Sequence, residues 1–171
     1  KVCRFGDNMR QVAVTEGNKV SAQINFGWQV NTWPVGDLVE YVNAVTEEEI
    51  STQLAEYKER YDINTINLES IRYQAKLNIA MKKCLDKIGA KAFTDTFEDL
   101  HGLEQLGGLA SQNLMYDGYG FGGEGDWKTS AMTHIVKEMT KGRTGGTSFM
   151  EDYTYHMVND GYVLGSHMLE V

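Results

Sequence analysis

Apolar residues along the chain follow two periods, and the switch between them marks the predicted elements. In the first thirty residues the period is two. VCRF (2–5) reads as a strand and FGDNMR as the loop after it. In VAVTEGNKVSAQINFGW, Val20, Ala22, Ile24 and Phe26 alternate with Lys19, Ser21, Gln23 and Asn25, and Glu16-Gly17-Asn18 supplies a turn. That pattern predicts a half-buried hairpin.

Helical spacing follows. Leu38, Tyr41, Val42 and Val45 define a first helix. Thr46 with Glu49 forms a capping box for a second helix, with Ile50, Leu54, Tyr57 and Tyr61 on one face. Tyr73, Leu77, Met81, Cys84, Leu85 and Ile88 make a long third helix that ends near Gly89. These stripes read as packing surfaces rather than cofactor boxes.

From residue 91 the pattern becomes strand, loop and helix, through KAFTDTFEDLHGL, LASQNLMYDG and YGFGGEGDWKT into SAMTHIVKEM. Met132, Ile135, Val136 and Met139 are expected to form the buried face of the last helix, with Thr129 or Ser130 as its N-cap. This alternation belongs to an α/β sheet, where loops beyond the carboxyl ends of the strands collect ligands. From Gly142 onward the helical stripe disappears and aromatic residues and a turn at Asn159-Asp160-Gly161 take over. The expected organisation is an α/β domain over 1–144 and the opening hairpin of a β-rich domain over 145–171.

Composition narrows the function. With 171 residues, 42% of them hydrophobic, the chain is long enough to bury a sizeable core, as one domain or one domain and part of another. A net charge of −8 with no basic cluster excludes a nucleic-acid reading, and a metal or a neutral hydroxylated ligand suits the chain better. Cys3 and Cys84 are far apart in sequence and form no metal-type pair, so reduced thiols are expected. No apolar run approaches a membrane span, and KVCRFGDNMR lacks the features of a signal peptide; the expectation is a soluble, cytoplasmic protein. Because the chain opens in one strand and stops in another, GSHMLEV, it reads as a piece of a longer protein.

The stretch FGGEGDWKT places Glu124 between Gly123 and Gly125, which is either a turn or a carboxylate brought close to a ligand. The terminal hairpin supplies further donors. A three-residue loop at 159–161 would make paired residue numbers sum to 320, setting Glu151 opposite Leu169 and Tyr153 opposite His167. Glu151 and His167 would then be diagonal neighbours on one face, roughly 7–8 Å apart at Cβ, while Asp152 and His156 point to the other. A two-residue loop would reverse the faces. Glu124, Glu151 and His167 together suit a divalent ion of the Mn, Fe or Zn kind rather than Ca or Mg. Spacing alone leaves both a site and a set of solvated charges open.

The runs VCRFGDNMR, FTDTFEDLHGL, GYGFGGEGDWKT, GGTSFMEDYTYH and VLGSHMLEV, in this order, resemble the central part of the L-arabinose isomerase family over essentially the whole chain. The resemblance implies an open three-layer α/β sheet with flanking helices, of the fucose/arabinose isomerase type, followed by the first hairpin of the next domain. It implies an intracellular aldose-ketose isomerase of arabinose catabolism, converting L-arabinose to L-ribulose and also D-galactose to D-tagatose. The expected cofactor is Mn2+, held by two glutamates and two histidines, of which Glu124, Glu151 and His167 lie in this chain. A hexamer with the active site between subunits is also implied.

In this chemistry a proton leaves one carbon and returns to its neighbour through a cis-enediol(ate), while the divalent ion stabilises charge on O1 and O2. The resemblance assigns the acid and base roles to Glu124 and Glu151, without deciding which acts first, and makes His167 a ligand only. It places Met9, Thr94, Phe97 and Phe149 in the substrate pocket, with Phe97 and Phe149 equally readable as core aromatics. Asp126, Trp127 and Lys128 are either supporting or structural, and His101, His134 and His156 read as structural. The amino-terminal domain and second histidine of the family are absent from the sequence, so the 171-residue piece alone is expected to be inactive or nearly so. Two other readings are a non-catalytic, metal-dependent sugar-binding module and a metallohydrolase, the latter without an HExxH helix to support it.

Overall fold

The computed structural model describes residues 1–165. A four-stranded parallel sheet forms its centre, from β1 (Val2–Phe5), β2 (Val30–Trp33), β3 (Ala92–Thr94) and β4 (Gly120–Phe121), in the order β2-β1-β3-β4. Alternate residues of a strand serve opposite faces. Cys3, Phe5 and Phe93 enter the larger core cluster, whereas Val2 and Ala92 enter a smaller one.

The larger cluster joins the sheet to α2 (Val35–Asn43), α3 (Glu47–Arg60), α4 (Leu68–Ile88) and α5 (Gly108–Tyr116). Here the helical stripes behave as predicted: Leu38, Val42, Ile50, Tyr57, Leu77, Met81, Cys84 and Leu85 are buried. The capping box at Thr46 and Glu49 is formed in full, and α4 ends in a left-handed Gly89. On the other face lie α1 (Lys19–Phe26) and α6 (Trp127–Met139), whose Ala22, Trp127 and Ala131 meet Val2 and Ala92. The result is a helix-sheet-helix sandwich, the expected α/β architecture.

Three expectations need correction. Residues 19–26 form a helix, not a hairpin strand. The Asn18 side chain accepts the Ser21 N–H at 2.8 Å, and Gly27 closes the other end in the left-handed conformation. Val20 and Ile24 are also four apart, so alternation did not exclude a helix; only Ala22 is buried, and Val20, Ile24 and Phe26 remain exposed.

The buried face of α6 is Trp127, Ser130 and Ala131, while Met132, Val136 and Met139 are exposed. In the middle of this face β4 approaches so closely that a Cβ on Gly120 would stand 2.1 Å from the Ser130 carbonyl oxygen, so a small residue sits there. Its N-cap is Asp126, which accepts N–H bonds from Lys128 at 3.0 Å and Thr129 at 3.2 Å. The cap therefore lies earlier than Thr129 or Ser130.

The third correction concerns the terminal hairpin, β5 (Asp152–His156) with β6 (Tyr162–Gly165). His156 pairs with Tyr162, Tyr155 with Val163 and Thr154 with Leu164, so the loop is the five residues 157–161. An irregularity then shifts the register by one, and Asp152 pairs with Gly165. The pairs therefore sum to 318 rather than 320 up to Thr154, and the register expected from a three-residue loop does not hold. The partners expected for Glu151 and Tyr153, Leu169 and His167, lie outside the described residues.

Candidate functional site

Parallel strands all end at the same edge, so the loops after β1, β3 and β4 gather there. They are tied to one another through the main chain. The Met9 N–H donates to the Glu124 carbonyl at 3.2 Å, and the Gly125 N–H donates to the Asp95 carbonyl at 2.8 Å. Arg10 adds a third tie, donating from Nε to Glu98 at 3.0 Å and from its main-chain N–H at 3.2 Å, which holds the Glu98 carboxyl below the usual range. Met9, Thr94, Phe97 and Glu124, singled out from separate parts of the sequence, thus share one loop cluster.

Glu124 has the unusual backbone. Its φ is +61°, in the left-handed region; Asn159 is the one other described non-glycine residue with positive φ, and asparagine tolerates that region well. A half-buried glutamate held there is strained by roughly 1–2 kcal/mol. Gly125, also left-handed at +78°, packs so tightly that a Cβ would lie 2.5 Å from Asn8 Cα. The glycines of GGEGD therefore let one loop dock on another while the carboxylate keeps a costly conformation.

The flanking residues are bonded into the fold around this loop. Asp126 caps α6; Trp127 is buried and donates from Nε1 to the Glu16 carbonyl at 2.6 Å; Lys128 donates to the Val14 carbonyl at 2.8 Å. Together they fasten the start of α6 beneath the Glu124 loop. His134 meets the Gly118 carbonyl through Nδ1 at 3.0 Å, and His156 sits beside the Tyr162 ring on the exposed hairpin.

Phe149 is 6% exposed, packs edge-on against Phe121 with ring centroids 5.6 Å apart, and lies under the loop at Gly123. Thr94 is fully buried and Phe97 half-buried against the same core. Glu151 follows two residues after Phe149 and is half-buried. Among the described residues no group of three His, Cys, Asp or Glu side chains is gathered for a metal, and His167 lies outside them. Cys3 and Cys84 are buried, free thiols; burial pushes Cys84 up to about 11, so both are poor nucleophiles.

One residue of this cluster went unnoticed in the sequence. Asp95 stands between buried Thr94 and Thr96, is itself 6% exposed, and desolvation pushes its carboxyl up to about 7. Its signal was the TDT run directly after an apolar strand, at the edge where ligands collect.

This combination puts a strained carboxylate in the loops at the carboxyl edge of an open parallel α/β sheet, the place where sheets of this class collect ligands. Residues 1–142 match the family model of the L-arabinose isomerase central domain, and residues 146–171 match that of the L-arabinose isomerase C-terminal domain. The chain belongs to the L-arabinose isomerase family. Over its whole length it is 56% identical to the L-arabinose isomerases of Salmonella enteritidis PT4 and Klebsiella pneumoniae strain 342, and 57% identical to that of Salmonella paratyphi A. It spans 36% of the length of each of these relatives. Among the described residues no helix is long and apolar enough to cross a membrane.

Proposed function

We propose that the chain is the middle part of a longer, cytoplasmic aldose-ketose isomerase acting on L-arabinose, and on D-galactose as a second substrate. The relatives' names point to the sugar; the strained backbone of Glu124, held at the edge of the sheet by Met9 and the Asp95–Gly125 bond, is the observation that carries the assignment of the site.

In this reading Glu124 and Glu151 exchange a proton with C1 and C2 of the open-chain sugar. One carboxylate takes the proton and the other holds the conjugate proton for return to the neighbouring carbon. Met9, Thr94, Phe97 and Phe149 shape the pocket floor, and the apolar Phe121–Phe149 contact keeps water away from the loop. The donor chemistry fits a divalent ion such as Mn2+, with Glu124, Glu151 and His167 as its holders in this chain. When bound, such an ion supplies polarisation of the two sugar oxygens and stabilises the charge that develops there. A further histidine and part of the pocket come from outside this chain, in a hexamer whose sites lie between subunits.

The test is calorimetric Mn2+ binding to the full-length parent and its Glu124→Gln and Glu151→Gln variants, with ketose formation from L-arabinose followed in parallel. Loss of turnover and weaker metal binding in both variants is the expected result. Variants that still convert arabinose would overturn the assignment.

A further inference from the structure

Asp95 touches two parts of the molecule in opposite directions. Its main-chain carbonyl accepts the Gly125 N–H at 2.8 Å, next to Glu124, and the Thr94 hydroxyl at 3.4 Å. Its side chain faces the start of α5: Oδ2 lies 3.9 Å from the point where a Cβ on Gly107 would stand. The Met81 sulfur and the Ser111 hydroxyl lie 3.4 and 3.8 Å from that same point. The Ser111 hydroxyl is fully buried and has no hydrogen-bond partner, so a polar group is poised beside the same glycine.

That glycine belongs to a rigid frame. Gln74 of α4 donates from Nε2 to the Leu106 carbonyl at 2.7 Å and accepts the Ala110 N–H at 3.4 Å, which anchors both sides of Gly107. A side chain seated against this frame fixes where its own main chain stands, and here that main chain carries the loop of Glu124.

We propose that Asp95 is a positioning residue for the isomerisation, its side chain seated beside Gly107 at the start of α5 and its carbonyl holding the loop that presents Glu124. The inference rests on the isomerase reading above. It makes Asp95 a group that acts through Glu124 rather than on the sugar. Seating depends on shape and polar atoms rather than charge, since burial favours the neutral carboxyl; asparagine should therefore replace it, and alanine should not.

The experiment is steady-state kinetics on the Mn2+-loaded full-length parent with L-arabinose, comparing Asp95→Ala and Asp95→Asn. Misplacing a catalytic group by about 1 Å costs up to about a hundredfold in rate. Asp95→Ala is expected to lower kcat about ten- to hundredfold, with KM and the Mn2+ dissociation constant within about threefold, and Asp95→Asn to recover most of that loss. If Asp95→Ala does not fold, Asp95→Ser, which keeps a polar atom but cannot reach Gly107, takes its place with the same expectation. The inference fails if the truncated variant keeps its kcat, if KM carries the loss, or if asparagine is as damaging as alanine. A parent that does not convert L-arabinose sinks the isomerase reading and this inference with it. A parent that converts it while Asp95→Ala is unimpaired sinks only the role of Asp95.

Discussion

The α/β body and the terminal hairpin obey different rules. In the body, sheet residues such as Cys3, Phe5 and Phe93 are sealed against α4 and α5, so one register and one face assignment are far better than their neighbours. Every residue of β5 and β6 is exposed, including Tyr155, Tyr162, Val163 and Leu164. Nothing buried discriminates one register from the next there, and a lone two-stranded hairpin is marginal in water. The comparison teaches that Glu124 is positioned by the body's own packing, whereas Glu151 stands at the root of an element that has no core among the described residues.

The sharpest way to break this comparison is at Glu124 itself. Glu124→Gly in the full-length parent should lower turnover of L-arabinose at least about a thousandfold while raising stability by about 1 kcal/mol, because glycine relieves the left-handed backbone. A denaturant titration beside the ketose assay reads both; a destabilised variant would mean the strain is not there.

Next in size is the core. Phe93→Ala should destabilise the chain by about 3–5 kcal/mol in urea unfolding, since its ring is fully buried against Phe121. Asp95 gives a pH-dependent effect. Its folded carboxyl titrates near 7, above the unfolded value of roughly 3.9, so the stability it contributes is complete below the lower value and lost as pH rises through the upper. Asp95→Asn removes that loss: unfolding measured from pH 4 to 8 should show the variant gaining on the parent by roughly 3–4 kcal/mol. Equal pH profiles would show that Asp95 does not stay neutral in the fold.

Smaller effects test the edges. Thr46→Ala removes the capping box of α3 and should cost about 1 kcal/mol. Tyr155→Ala in the exposed hairpin should change stability by no more than about 0.5 kcal/mol. If it costs as much as Phe93→Ala, the hairpin is packed and the contrast between the two regions is wrong.

Much of the candidate site was readable in sequence because it lies in short runs with unusual composition: GGEGD, the TDTF run and the GDNMR loop each follow a strand. The parallel sheet then brings these runs to one edge, which is a consequence of topology rather than of any single run. Asp95 was missed because nothing in TDT says that all three polar residues are buried, the carboxylate included; the packing around the run, with Gly107 beside Asp95, decides that. The loop length of the hairpin was also misjudged, since Asn159-Asp160-Gly161 is compatible with several turns and the pairing at His156 and Tyr162 selects a five-residue one.

The sequence by itself determined the elements whose signals are local. Thr46 and Glu49 cap a helix through their own side chains, Gly89 ends one through its freedom at positive φ, and the stripe from Leu77 to Leu85 names its buried face by period alone. Only the tertiary structure decided what depends on distant partners. Residues 19–26 turn only Ala22 inward because that is all the sheet face has room for, and α6 turns Ser130 inward because Gly120 brings β4 up against its main chain there. Hydrophobic period reports which residues could be buried; the space left by the neighbouring layer settles which ones are.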